Sequence, residues 1–218
     1  MKIKKLANSA LNFVINRTIE IIGISIAILG FLLLVSLVSF SPDDPNFIFP
    51  KDTEIKNLLG YNGSFIADLF FQSFGQIALL VPFSFIFTGM NIFLNKKIFS
   101  IIESLFYTTL YLLFSSLFFS FFYPNSFEFY INGNGGFIGK YLTTTFLNSL
   151  IVINSQIFYY VIPILSLILF LNSIQFKINF FYRFILKIFR YFFTKKEQNY
   201  TNENEIINEF IPQEEIKS

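Results

Sequence analysis

The chain has 218 residues, 54% of them hydrophobic and only 14% charged, with a formal net charge of +2. So few charges cannot cover a soluble domain of this length, and apolar stretches of ~20 residues recur, enough to cross a hydrocarbon core about 30 Å thick. The absence of Cys and His excludes a disulfide framework, a thiolate or imidazole metal site and a Ser-His-Asp triad.

The richness in Phe, Ile, Asn and Lys, with no Trp, fits an AT-biased coding sequence. Residues 1–18 form a basic N-terminus that lacks the short apolar core and small-residue cleavage site of a signal peptide. An apolar run over 19–40 predicts the first membrane span. On it Glu20, Gly23, Ala27 and Gly30 share one helical face, where small side chains let a neighbouring backbone approach closely. Glu20 lies about one turn inside and can snorkel to the headgroups. Packing is favoured over an ion or proton relay, which wants a carboxylate nearer the midplane.

The run closes at SFSPDDPNF, residues 39–47. Pro42 and Pro45 prevent helix continuation. Asp43 and Asp44 are expected to hold the end of the span in water, as a turn rather than as ligands of a divalent ion. Pro42, Asp43, Asp44 and Pro45 are assigned as an outer-loop surface for partners. Replacing both aspartates by Asn is expected to leave the fold intact.

A second span is predicted over 69–94. Asp68, Gln72 and Gln76 repeat every four residues at its start, with Gly75 nearby. Hydrogen bonds between helices are the favoured role of this face, and a polar solute path is the alternative. Pro82 permits a kink. The connection NKK is short, so a third span over 99–122 forms a tight hairpin with the second.

NGGFIGKY from Asn134 shares four of eight positions with NGSFIADL from Asn62. The pair reads either as a repeat of two hairpins or as chance similarity in a biased composition. GNGGFIGKY, residues 133–141, also mimics a phosphate loop, but Asn134 stands where the motif needs Gly and Tyr141 where it needs Ser or Thr. The mimicry is rejected.

Residues 137–153 predict a helix on or dipping into the outer surface, leading into a fourth span over 157–171 that contains Pro163. Over 176–193, Arg183, Lys187 and Arg190 fall on one face of a basic amphipathic helix suited to anionic lipid. An ordinary cytoplasmic end of span four explains the same residues. Residues 194–218 are polar and acidic, a disordered tail or the start of a linker.

Thirteen of the sixteen Lys and Arg residues fall on one side of this arrangement and three on the other. By the positive-inside rule both termini are cytoplasmic and residues 41–63 face outward. The expected fold is all-α, with four transmembrane helices over 19–175, an outer-surface helix before span four and the amphipathic helix after it.

Ser39 to Pro45 and the stretch from Asn57 to Pro82 resemble the N-terminal four-helix membrane domain of the FtsK/SpoIIIE DNA translocases. That family carries a Ser-aromatic-Ser-Pro-x-Asp-Pro turn, then a pattern matched here by Gly60, Gly63, Ala67, Asp68, Leu69, Gln72 and Gly75. The resemblance extends in topology over about residues 17–190. It implies a multi-pass protein of the bacterial inner membrane at the division septum, with membrane lipids and divisome proteins as partners. It further implies a homo-oligomer, hexameric in the family's motor, and an ATP-driven DNA pump in a longer parent.

The sequence itself holds no nucleotide motif, so this chain is expected to be no enzyme, to need no cofactor and to bind no nucleic acid. Whether it is a piece of a translocase or a stand-alone relative stays open. A small transporter or channel subunit, or a membrane scaffold, is the competing class; a transporter would want an ionisable path through the midplane.

Overall fold

The structure is a computed structural model that describes residues 2–45, 54–124 and 131–176. Arg183, Lys187 and Arg190, with the expected basic helix and acidic tail beyond Phe176, lie outside the described residues. Regular structure among the described residues is helical throughout. In order come α1 (Lys2–Val38), α2 (Gly60–Phe74), a 3-10 turn (Gly75–Leu80), α3 (Val81–Asn95) and α4 (Ser100–Phe122). Then follow α5 (Gly136–Leu142), α6 (Phe146–Ile153) and α7 (Ser155–Ser173).

Among the described residues four helical segments are long and apolar enough to cross a membrane: Asn8–Val38, Gly60–Asn95, Ser100–Phe122 and Ser155–Ser173. They must be helical, because an unpaired amide or carbonyl in hydrocarbon costs several kcal/mol. Helix α1 has 37 residues, about 55 Å at 1.5 Å per residue, well beyond the hydrocarbon thickness. It ends at Val38, where the Ser39 hydroxyl donates to the Val35 carbonyl at 2.7 Å.

The second crossing begins at Gly60 rather than near Leu69, and it is broken. Gly75 has φ 70° and closes α2, and six residues of 3-10 turn follow before α3. Pro82 does not kink a helix interior. It sits in the first turn of α3, where its missing N–H would be unsatisfied anyway. Helix α3 ends at Lys96, in the left-handed conformation with φ 58°, and the chain turns directly into α4.

Residues 137–153 do not form one helix. Helices α5 and α6 meet at a bend of 75°. The hydroxyls of Thr143, Thr144 and Thr145 each donate to the carbonyl three residues back, at 2.7, 2.7 and 2.6 Å. Thr145 then accepts from the Leu147 N–H at 3.3 Å and caps α6. The two similar octapeptides thus enter different structures. Asn62 lies within the first turn of α2, whereas Asn134 precedes the short α5.

The core draws on every crossing: Leu33 and Leu37 of α1, Ala67 and Phe71 of α2, Val81 of α3, Tyr111 and Leu112 of α4, and Leu169 of α7. A smaller cluster joins Leu117, Ile151 and Ile162. Buried hydroxyls bind the same helices together. Ser173 of α7 donates to Ser84 of α3 at 2.5 Å and pairs with Thr108 of α4 at 3.0 Å. Ser84 also meets the Tyr111 hydroxyl at 3.2 Å, and Thr88 donates to Ser104 at 2.5 Å. Such bonds between membrane helices contribute about 0.6 kcal/mol each, and they also fix rotation.

Candidate functional site

Helix α1 is held to the α3–α4 turn by an ion pair at one end of the bundle. The Glu20 carboxylate accepts from Arg17 at 2.5 Å, one turn back on the same helix, and from the Lys96 ammonium. Lys96 also donates to the Phe93 carbonyl at 2.7 Å, so the residue that ends α3 clamps α1. Beyond this latch Gly23 and Gly30 of α1 are buried against α3, and Gly89 of α3 returns the contact to Ala27.

A Cβ on Gly23 would lie 2.7 Å from the Phe93 nitrogen and 2.8 Å from the Gly89 oxygen, both backbone atoms that cannot step aside. Gly23→Leu is therefore expected to lower stability by about 3 kcal/mol, read as a lower unfolding midpoint in detergent. An unchanged midpoint would show that α1 and α3 do not meet here.

The opposite end is closed by the aspartate turn. Asp44 is buried, 2% exposed, and its carboxylate accepts from the backbone N–H groups of Lys56 at 2.8 Å and Asn57 at 2.9 Å. Asp43 points outward, 71% exposed, and pairs with the Lys56 ammonium at 3.2 Å. Pro42 is exposed and Pro45 buried. The two aspartates, equivalent in sequence, thus face opposite ways: Asp44 is drawn in by two orphan amides of the returning chain.

Asn57 continues the clasp. Its side-chain amide donates to the Ser36 carbonyl at 2.9 Å, and its side-chain oxygen accepts from the Leu59 N–H at 3.1 Å. Ser36 donates in turn to the Gly63 carbonyl at 2.6 Å, and Ser64 to the Pro45 carbonyl at 3.1 Å.

The break in the second crossing is filled by the loop that leads to α5. The Asn134 carbonyl accepts from the Gln76 N–H at 3.0 Å, and its side-chain oxygen accepts from the Gln76 side-chain amide at 3.2 Å. The Asn134 amide donates to the Tyr123 carbonyl at 2.7 Å, which ties the loop to the end of α4. Gly75 leaves the space for this contact: a Cβ there would fall 1.8 Å from the Asn134 oxygen. Ser116 donates to the Phe74 carbonyl at 3.1 Å, satisfying one of the carbonyls that α2 orphans.

Asp68 and Gln72 lie about two turns and one turn before the break. Asp68 is buried, and it accepts from the Gln72 amide at 3.4 Å. The structure therefore separates the sequence-assigned face into two parts: Asp68 with Gln72 along α2, and Gly75 with Gln76 in the 3-10 turn against the loop.

Five decisive partners carried no signal of this role in sequence. Asn57 and Asn134 sit among many other asparagines, and Ser36, Ser84 and Ser173 are single hydroxyls in apolar runs. Only Lys96 could have been paired in advance, as a cation just past a crossing whose neighbour carries Glu20. The assembled groups are ion pairs, amides and hydroxyls that hold helices together. Among the described residues, no three Asp or Glu side chains converge as a metal site would need.

Four apolar crossings, latched at both ends and filled by hydrogen-bonded loops, define a multi-pass helical membrane domain. The chain belongs to the family described as the 4TM region of DNA translocase FtsK/SpoIIIE, whose model matches residues 16–182. It is 34% identical over 88 residues to a DNA translocase FtsK of Azospirillum brasilense, covering 39% of this chain and 14% of that protein. A DNA translocase FtsK of Rickettsia typhi is 26% identical over 173 residues, 77% of this chain and 23% of that protein. One from Rickettsia bellii is 34% identical over 74 residues, 34% of this chain and 10% of that protein. The chain thus matches less than a quarter of the length of each of these relatives. No solved structure matches it.

Proposed function

We propose that the chain is the membrane anchor of an FtsK-like DNA translocase, seated in the bacterial inner membrane at the division septum. The observation that carries this reading is the family match across all four crossings, residues 16–182. By this proposal an ATP-driven DNA pump belongs to a longer parent protein, while this domain binds lipid and divisome membrane proteins and no nucleic acid. A homo-oligomer, hexameric with the motor, is part of the same proposal. Pro42 and Asp43 form the exposed partner surface, and Asp44 with Pro45 supports it from beneath. Arg183, Lys187 and Arg190 are proposed to lie on anionic lipid. A fluorescent fusion of the chain is expected to gather at midcell; uniform envelope fluorescence would overturn septal targeting.

The proposed orientation puts both termini and the Lys96 turn in the cytoplasm, with Asp44 outside. The division of basic residues, thirteen against three, supports it. Because the chain has no Cys, single substitutions report cleanly. An impermeant thiol reagent on intact spheroplasts is expected to label Ser41→Cys and not Ser9→Cys. The reverse pattern would invert the topology.

A further inference from the structure

The geometry points to a binding site for one anionic phospholipid on the face where α1 and α3 meet, with an acyl chain in the furrow between them and the phosphate at its basic mouth. This site rests only on the chain crossing a bilayer, and not on its orientation or on septal targeting. The close backbone approach at Gly23, Ala27 and Gly89 leaves a furrow flanked by Ile24, Ile28, Phe31, Met90 and Phe93. Its volume is about 310 Å³ and its walls are almost wholly apolar. From Gly23 to Phe31 it runs about 12 Å along the helix axis, the reach of part of one acyl chain.

The mouth of the furrow is cationic. The Lys96 ammonium stands 5.1 Å above the ring of Phe93, a furrow wall, and the Arg17 guanidinium 5.1 Å from the ring of Phe13. Arg17 is 60% exposed and Lys97 is exposed. Glu20 is the shared carboxylate of Arg17 and Lys96 and an exposed Glu103 lies in the first turn of α4, so with Lys97 three cations stand against two carboxylates among these described residues. An apolar furrow running into excess positive charge complements a lipid that joins an acyl chain to a phosphate. A second copy of this chain packed parallel in the furrow would instead bring two such basic clusters together, an unfavourable pairing of like charge.

The test is native mass spectrometry of the full chain in detergent, titrated with phosphatidylglycerol or with phosphatidylcholine of the same acyl chains. One phosphatidylglycerol is expected to bind about tenfold more tightly than phosphatidylcholine, the scale set by one to two basic contacts at a membrane surface. Arg17→Gln with Lys97→Gln, which spares the Glu20–Lys96 pair, is expected to remove that preference. Ile28→Trp fills the furrow from its open side and is expected to weaken both lipids; Met90→Trp replaces it if helicity is lost.

Equal binding of the two lipids, or a preference that survives the double Gln change, overturns the site. So does competition by inorganic phosphate that is indifferent to both Trp variants, which would mean an anion site alone. Dimers that the Trp variants dissociate would give the furrow to a second copy, and would overturn it equally.

Discussion

Gly75→Ala is expected to be the most damaging single methyl in the chain, lowering stability by at least about 3 kcal/mol. The added Cβ would lie 1.8 Å from the Asn134 oxygen and 2.4 Å from its carbonyl carbon, so the loop must leave the break. Gly75 also has φ 70°, a conformation that an L side chain resists independently of space. Once the loop moves, the Gln76 N–H loses its acceptor within the second crossing. Hydrogen exchange across residues 131–142 should then rise at least about tenfold, following the local opening free energy. Asn134→Ala keeps the backbone contact to Gln76 and removes the side-chain bonds to Gln76 and Tyr123, so it should cost less, about 1–3 kcal/mol. A Gly75→Ala protein with native melting and native exchange would show that the loop does not seat on the break.

What sequence could reveal divides along the range of the interaction. The crossings were legible because an apolar run of this length has one solution in a bilayer. The Gly23, Ala27 and Gly30 face was legible because its spacing lies within one helix. The break was not. Pro82 is the louder local signal, yet it starts α3 quietly, and the disruption at Gly75 is completed by Asn134, 58 residues beyond Gln76. Glu20 shows an intermediate case. Sequence places it one turn inside a span over 19–40, whereas the apolar crossing starts at Asn8, and Lys96, 76 residues on, becomes its partner only once the α3–α4 turn folds back beside α1. The hydroxyl bonds of Ser84, Thr108 and Ser173 were silent, since lone Ser and Thr residues are scattered through every crossing.

Asp44 and Asp43 give the sharpest separation between neighbours that sequence treats alike. Asp44→Ala would strip the acceptor from the Lys56 and Asn57 amides, and Asn57 is only 4% exposed. Hydrogen bonds to a charged group contribute more than neutral ones, so the expected loss is about 2–4 kcal/mol. Asp44→Asn keeps one acceptor oxygen but turns an NH2 group toward the second amide, and should fall between Ala and wild type. Asp43→Asn removes an exposed ion pair with Lys56, and is expected to change stability by no more than about 0.5 kcal/mol. The double Asn protein should therefore keep its fold, as the sequence by itself suggests, but melt like Asp44→Asn alone, below wild type. Thermal unfolding of the three single variants and the double variant in one detergent would decide the matter. If Asp43→Asn proved as costly as Asp44→Ala, the inward and outward assignment of the two carboxylates would be wrong. If Asp43→Asn melts normally but a fusion carrying it leaves midcell, the outward carboxylate belongs to the partner surface while its neighbour holds that surface in shape.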